Sequence, residues 1–336
     1  MLNTAYINLN NLVYNAKAIK RNLPKGVKFF AVVKADAYGH GAPECANAIY
    51  NLVDGFCVAL KEEAMKLKCA GIKKEILLLI PPFKQDVKEL VEEDITISVF
   101  KKEQVFQIEK VAKMLNKRAK VHVIFNSGMN RLGIESISAL KDFVDYCKKL
   151  KHVEVAGIFS HFACPENDQL REKAVQKFLL AKNVIKDYNS RAVAHVSASG
   201  GFLKGEYFDL VRIGIMLYGY LPFKDKPFPL KKVMKITSKS ILQKKIKKGE
   251  SALYGFKPSD KNLSLNLIRY GYADGLERRE VLGQFNNRCM DITAVTKKGK
   301  EIVVLDNADT LAKQYNTISY EILTKSALRA EKIYVK

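Results

Sequence analysis

The stretch FFAVVKADAYGHG, residues 29–41, decides how the rest of the chain is interpreted. Its first half is a run of aromatic and β-branched residues, which is typical of a strand buried on both faces. The run ends at Lys34, and Gly39 and Gly41 then supply a turn. Because burying an unpaired ammonium is costly, a lysine in this place tends to lose its proton and to act as a nucleophile. A lysine that merely reaches water at a strand end is the simpler alternative for an isolated residue.

The composition sets limits on the size and the partners of the protein. The chain has 336 residues and is 48% hydrophobic, enough for one large or two ordinary domains. The net charge of +22 comes from lysines and arginines spread along many segments. No nucleic-acid motif accompanies them, so we expect a solvated lysine-rich surface, weak binding of polyanions at low salt and no specific nucleic-acid partner.

Cysteine usage and hydropathy indicate a cytoplasmic protein. Six cysteines are scattered without a C-x-x-C pair, which favours reduced thiols over a disulfide framework or a zinc site. No signal-peptide pattern is visible at the N-terminus. The longest apolar run, residues 76–80, is far too short to span a membrane, so no membrane association is expected.

Short apolar runs alternate with helical patterns over the first two thirds of the chain. Eight such runs occur, at residues 29–34, 55–60, 76–80, 95–99, 121–126, 155–160, 193–197 and 210–215. Amphipathic spacing predicts helices at residues 9–23, 61–70, 101–115, 134–150 and 170–188. Eight strands alternating with helices predict a (β/α)8 TIM-type barrel over residues 1–225. A doubly wound sheet is the competing fold, but the count of eight and the absence of G-x-G-x-x-G oppose it.

The sequence pattern changes after Gly219, where prolines mark a connection and the helical periodicity of apolar residues ends. Strand patterns separated by glycine and aspartate turns follow at residues 233–247, 263–270, 290–296 and 301–305. We therefore predict a second, mainly-β domain over residues 226–336.

Polar residues terminate several of the predicted barrel strands. Since barrel active sites lie at the carboxyl ends of the strands, these side chains are expected to converge on one rim. The set consists of Lys34, Arg131, His161, Ser199 and Arg212. Taken singly, the histidine could be a core residue, the arginines could pair with loop carboxylates and the serine could be a helix cap. Chance placement of all of them is implausible.

The segment VKADAYGHG at residues 33–41 resembles the pyridoxal-phosphate (PLP) lysine motif of the alanine racemases. The resemblance covers nearly the whole chain in order. It continues through residues 249–255, 271–275, 289–291 and 318–321. It implies a PLP-dependent racemase of fold type III that interconverts L- and D-alanine, and a cell that uses the D-alanine for peptidoglycan.

The resemblance also implies roles for individual residues. Lys34 would hold PLP covalently, His161 would pack on the pyridine ring and Arg212 would hydrogen-bond the ring nitrogen. Arg131 would contact the cofactor phenolate and the substrate carboxylate. The implied phosphate ligands are Tyr38, Ser199, Gly214, Ile215 and Tyr320.

In the family that the chain resembles, racemisation uses two bases on opposite faces of the substrate. Lys34 would serve the D face, and Tyr254 of a partner subunit would serve the L face, which implies a homodimer with shared sites. A chain from Tyr254 through His161 to Arg212 would share the proton. Met290 and its neighbours would limit the size of the substrate.

Three positions depart from the family pattern. Ile124 stands where a lysine, often carbamylated, orients the arginine seven positions later, and Asn126 replaces an aspartate. Arg131 therefore loses two neighbouring anions. Ala198 replaces the asparagine that precedes the phosphate serine. Lys34 and Tyr254 are unaffected, so activity is expected to survive.

Other functions remain open at this point. Related barrel-type decarboxylases have an extra β-segment before the barrel and an acidic partner for the ring nitrogen, whereas this chain is expected to enter the barrel directly and offers Arg212. A racemase of broader specificity is another alternative. A non-catalytic PLP-binding barrel protein would lack the second domain and its tyrosine.

Overall fold

In the part of the chain that the structure describes, two sheets, one of eight and one of seven strands, build the fold. The computed structural model describes residues 3–223, 227–254, 258–277, 285–297 and 299–336, with backbone alone at 285–287. The predicted domain boundary at residues 225 and 226, and Gly255 at the end of one family landmark, lie outside the described residues.

The chain starts with a strand, β1 (Asn3–Asn8), that does not belong to the barrel. It pairs antiparallel with a strand of the second sheet, Thr4 facing Thr237, and parallel with the last strand of the chain, Tyr6 facing Ile333. The expectation that the chain enters the barrel directly is therefore wrong. The sequence NTAYIN alternates between polar and apolar residues and presents only Ala5 and Ile7 to the core, which is too weak a pattern to stand out.

The predicted eight-stranded parallel barrel is confirmed. Its strands are β2 (Lys28–Val32), β3 (Gly55–Val58), β4 (Glu75–Leu78), β5 (Thr96–Val99), β6 (Ala119–Ile124), β7 (Val153–Phe159), β8 (Val193–His195) and β9 (Leu210–Ile213). They lie in the order β8-β7-β6-β5-β4-β3-β2-β9. Backbone hydrogen bonds from Asp209 N to Ala194 O (3.0 Å) and from Arg212 N to Ser197 O (2.9 Å) join the two ends of this order and close the barrel.

Helices alternate with the barrel strands, as predicted. They are α1 (Leu9–Arg21), α2 (Lys34–Tyr38), α3 (Ala42–Ile49), α4 (Lys61–Cys69), α5 (Val87–Glu92), α6 (Lys102–Met114), α7 (Ile137–Cys147), α8 (Asp168–Tyr188) and α9 (Ser199–Leu203). Short 3₁₀ turns occur at Tyr50–Leu52, Lys84–Asp86 and Ile215–Tyr218. No helix in the described ranges is long and apolar enough to cross a membrane.

The second sheet forms the mainly-β part of the molecule. Its remaining strands are β10 (Met234–Ile246), β11 (Leu263–Ile268), β12 (Phe285–Arg288), β13 (Thr293–Val295), β14 (Glu301–Leu305) and β15 (Glu331–Val335). The strand order is β12-β13-β11-β10-β1-β15, and β14 pairs with β10. A 3₁₀ turn (Tyr272–Asp274) and the helices α10 (Ala308–Tyr315) and α11 (Ser319–Ser326) complete it. One hydrophobic core runs from Phe30 of the barrel to Ile236 and Leu323 of this part, so the two sheets are packed together.

Candidate active site

A cavity of about 830 Å³ opens at the carboxyl ends of the barrel strands. Nine of the eleven predicted site residues line it: Lys34, Tyr38, Arg131, His161, Ser199, Arg212, Gly214, Ile215 and Tyr320. Eight of these follow or lie within barrel strands, and Tyr320 comes from α11. The structure thus brings together residues that lie almost 300 positions apart in the sequence.

Lys34 begins a short helical turn, α2, that is left-handed. Ala35, Asp36, Ala37 and Tyr38 have φ between 51° and 55°, so α2 is a left-handed turn built without glycine. Such a conformation costs about 1–2 kcal/mol per residue and persists only where surrounding contacts hold it. The contacts include hydrogen bonds from Ala37 N to Val33 O (2.8 Å) and from Gly39 N to Ala35 O (2.9 Å). The turn fixes the point at which the lysine leaves the strand.

The surroundings of Lys34 favour its neutral amine. Burial, and after it the charge of Arg131, lower the pKa of Lys34 below its ordinary value, while Glu63 acts in the opposite direction. A lysine with a lowered pKa holds a larger fraction of free amine near neutral pH, as a nucleophile or a base requires.

Hydroxyl and backbone donors converge at one side of the cavity. Gly214 N points at Ser199 Oγ (3.4 Å), and a Cβ at Gly214 would lie 2.5 Å from the hydroxyl of Tyr38. The ring of Tyr38 packs against Tyr320, with centroids 6.0 Å apart. Burial raises the pKa of Tyr320 to about 12 and that of Tyr38 further, so both hydroxyls stay protonated and can donate. This donor set, next to a glycine that leaves room, fits a phosphate group.

The guanidinium of Arg212 is buried and its position is fixed by many acceptors. Its Nη atoms donate to the carbonyl oxygens of Ser160 (2.8 Å), Val196 (3.0 Å) and His195 (3.2 Å), and to Nδ1 of His195. His161 Nδ1 lies 3.4 Å away. The Nε–H group has no acceptor among the described residues. Burial lowers the pKa of Arg212 to about 10, which still leaves it charged at neutral pH.

Two histidines behind Arg212 were missed by sequence reasoning. Since Nδ1 of His195 accepts from arginine, its proton lies on Nε2, which donates to Nδ1 of His122 at 2.9 Å. Burial lowers the pKa of His122 to about 3 and that of His195 well below its ordinary value, so both rings are neutral. The signal was available, because both histidines fall within predicted barrel strands where polar residues are rare.

Neither Ile124 nor Asn126 offers Arg131 a negative charge. A second cavity of about 30 Å³ lies between Ile124, Asn126, Arg131 and His161. Asn126 accepts from Gly128 N and Asn130 N (3.0 Å each) and donates to Asn130 Oδ1 and Glu135 Oε2, so its amide is committed to its own loop. No ion pair joins Arg131 to any residue in the described ranges.

Tyr254 and Met290 do not reach this cavity within one chain. Their side chains are 79% and 54% exposed, and neither is among the described residues that line the cavity. Met290 sits on a turn that packs on Gly271, where Ala273 N donates to Met290 O at 3.0 Å. Both large side chains therefore face outward, where a second molecule could contact them.

The residues present fit PLP. A lysine with a lowered pKa, a cluster of hydroxyl donors beside Gly214 and two arginines match an aldehyde, a phosphate and further acceptor groups on one ligand. The cavity is large enough for such a ligand, since small-molecule sites measure about 300–1,000 Å³.

Comparisons with known proteins agree on one family. The family model described as alanine racemase, N-terminal domain, matches residues 7–222, and that of the alanine racemase C-terminal domain matches residues 233–334. The chain is 33% identical to alanine racemase 2 of Caldanaerobacter subterraneus subsp. tengcongensis over 98% of its length and 94% of that protein. It is 31% identical to an alanine racemase of Streptococcus pyogenes serotype M28 over 98% and 97%.

Solved structures show the same fold. Alanine racemase of Clostridium difficile 630 superposes with a TM-score of 0.93 at 29% identity, covering 100% of this chain and 96% of that one. Alanine racemase of Bacillus anthracis with bound L-Ala-P gives 0.91 at 28% identity, covering 99% and 94%.

Proposed function

The chain belongs to the alanine racemase family and is a PLP-dependent racemase, and from this premise we propose that it interconverts L- and D-alanine with two bases at a site shared by two subunits. The observation that carries the proposal is the convergence of Lys34, Arg131, Arg212 and three hydroxyl groups on one cavity. In a cytoplasm that builds a peptidoglycan wall, the product would be D-alanine for that wall.

PLP, when bound, withdraws electrons from the substrate and makes its Cα–H bond acidic. Lys34 would hold the cofactor, and its Nζ would move the proton on the D face. The lowered pKa of Lys34 supports this use, because a base must be free of its proton when it acts. Arg131 binds the substrate carboxylate and orients the Cα–H bond toward the base.

Arg212 and His161 set the electrostatics of the cavity. The Nη groups of Arg212 are fixed by four acceptor atoms, which leaves Nε–H to donate. This charged group would hold the ring nitrogen of the cofactor. A charged donor there disfavours protonation of the ring nitrogen and limits how strongly the cofactor withdraws electrons. Brief proton removal and return is then favoured over side reactions such as transamination.

Tyr254 of the partner subunit serves the L face. In one chain this tyrosine is 79% exposed and away from the cavity, which supports its use by another subunit. Racemisation requires a proton donor and acceptor on each face, so Lys34 alone would leave the reaction one-sided.

Incubation of the purified protein with L-alanine tests the proposal. We expect D-alanine to form, to depend on added PLP after the cofactor is stripped, and to vanish in Lys34→Ala. Borohydride reduction should attach the cofactor to one peptide. Attachment at any lysine other than Lys34, or no D-alanine from the loaded protein, would overturn the proposal.

A broader substrate range remains the second candidate. The cavity of about 830 Å³ in one chain exceeds the needs of PLP and alanine, and Met290, which is expected to narrow it, lies outside it here. A panel of L-serine, L-lysine and L-alanine distinguishes the two, since an alanine-specific enzyme turns over only the smallest substrate rapidly.

A further inference from the structure

Glu63 links the first turn of α4 to the residue that follows Lys34. One carboxylate oxygen, Oε2, accepts from Ala59 N (2.7 Å) and Leu60 N (3.2 Å), the free amides at the start of the helix. The other, Oε1, accepts from Ala35 N at 2.6 Å. Ala35 is the first left-handed residue of α2, so this bond holds the backbone at the base of the lysine.

Helix α6 shows which side chain suffices to cap the N-terminus of a helix in this fold. Gln104 occupies the same position in α6 that Glu63 occupies in α4, and its Oε1 accepts from Phe100 N (2.8 Å) and Lys101 N (3.0 Å). Glu63 makes the same two bonds, since each side chain accepts from the backbone N–H groups three and four positions before its own residue. A neutral amide therefore suffices to cap a helix in this fold, and helix capping does not explain the carboxylate of Glu63.

The carboxylate of Glu63 also carries a negative charge, whereas the other charged groups that act on Lys34 are cations. The charged and titratable groups that act on Lys34 are Arg131 and Arg212, which lower its pKa, and Glu63 and the thiol of Cys57, which raise it. Burial raises the pKa of Cys57 to about 12, so the thiol is neutral. His161 and Tyr38 in the same cavity are neutral as well. Glu63 is thus the anion among the groups that act on Lys34.

We propose that Glu63 is a positioning residue for Lys34, which fixes the left-handed turn through Ala35 N and balances the two arginines with its negative charge. The proposal rests on the proposed function for its meaning in catalysis. Its structural content, that Glu63 controls the amine of Lys34, holds whichever substrate is used.

Glu63→Gln separates this role from helix capping. As in Gln104, the amide oxygen retains the cap, but the NH₂ group then faces Ala35 N–H, so the bond to α2 and the charge are both lost. Gln104→Ala is the matched control, because it removes a cap and leaves the surroundings of Lys34 intact.

The first readout uses the apoprotein and requires no racemase activity. The labelling rate of Lys34 by trinitrobenzenesulfonate, followed by peptide mass spectrometry across pH, gives the pKa of its amine. In Glu63→Gln we expect this pKa to fall by about one unit, because two cations are no longer balanced. Gln104→Ala should leave it unchanged while lowering thermal stability.

The second readout uses the PLP-loaded enzyme with L-alanine. Glu63→Gln should lower kcat about tenfold and shift the acidic limb of its pH profile downward, with little change in KM. An unchanged Lys34 pKa in Glu63→Gln, or an equal shift in Gln104→Ala, would overturn the proposal. If neither loaded protein forms D-alanine, the proposed function fails, and the labelling result still decides the role of Glu63.

Discussion

At the scale of single residues, Ile124 changes what holds Arg131 in place. The side chain is buried against a cavity of about 30 Å³ that Arg131 also lines, and its hydrocarbon offers no charge. Room for roughly one water molecule or one small anion remains there. Asn126 is hydrogen-bonded within its own loop and supplies no charge in its place.

Racemase activity is therefore expected to ignore bicarbonate and to depend on halide. A chloride ion in this cavity would supply the negative charge next to Arg131 that Ile124 does not provide. Turnover should therefore rise when chloride replaces a bulky anion such as gluconate. The measurement is the initial rate in carbon-dioxide-free buffer with chloride and bicarbonate varied separately. A clear bicarbonate requirement would contradict the prediction, since Ile124 cannot be carbamylated.

At the scale of elements, the left-handed turn α2 is held from the second sheet as well as from the barrel. Lys332 of β15 forms an ion pair with Asp36 at 2.9 Å. Gly39, at φ +84°, lies so close to α11 that a Cβ there would be 2.5 Å from the carbonyl oxygen of Leu323. The last helix and the last strand thus close over the segment that carries the lysine.

Gly39→Ala should destabilise the protein far more than Gly26→Ala. Gly26 has nearly the same φ, +90°, but open space around it, so its substitution measures backbone strain alone, about 1 kcal/mol. At position 39 the collision with a backbone carbonyl adds about 1–3 kcal/mol. Urea unfolding of both variants gives the difference. Equal losses would show that α11 does not press on this turn.

The elements that could be predicted from the sequence are those with strong local patterns. The eight barrel strands are buried on both faces and appear as continuous apolar runs. The polar residues at their ends identified five residues that line the cavity, and the family resemblance added the other four. The hand of α2 could not be predicted, because Ala35, Asp36, Ala37 and Tyr38 prefer negative φ and are held by distant contacts. Glu63 was missed for the same reason, since its bond to Ala35 spans 28 residues.

At the scale of the whole molecule, three histidines, His40, His122 and His195, are buried in or behind the barrel, and His161 lies half-buried at the cavity. Burial lowers the pKa of His40 to about 4 and those of His122 and His161 to about 3, and lowers that of His195 strongly. In the unfolded chain these rings titrate near pH 6.5. The unfolded state therefore binds more protons below that pH.

Stability should fall as the pH drops from about 6.5 toward 4. Each ring whose folded pKa is lowered reduces the free energy of unfolding by about 1.4 kcal/mol for every pH unit in that window. Above pH 7 its contribution to the free energy of unfolding is constant. Urea midpoints at pH 8, 6 and 5 measure the effect. A midpoint that stays level between pH 6 and 5 would show that the rings take up protons without unfolding.

Assembly gives the second prediction at this scale. If Tyr254 acts in the partner's cavity, mixing the inactive variants Lys34→Ala and Tyr254→Phe restores one complete site in each mixed dimer. Activity per mixed dimer should recover toward about half that of a normal dimer, as followed by D-alanine formation after subunit exchange. Verified exchange without recovery would show that each site is built within one chain. Lys34→Ala taken alone through the same exchange procedure serves as the control and should stay inactive.

The place of β1 has a consequence for the order in which the molecule can be completed. The strand is synthesised before the barrel, yet both neighbours in its sheet, β10 and β15, are synthesised after it. During translation the barrel can assemble while the backbone groups of Asn3–Asn8 are still unpaired. Such an exposed strand edge can pair with another nascent chain. The same arrangement makes the ends of the chain depend on each other. Among the described strands, removing β1 would leave β15 without its partner, and removing β15 would leave β1 paired with β10 alone.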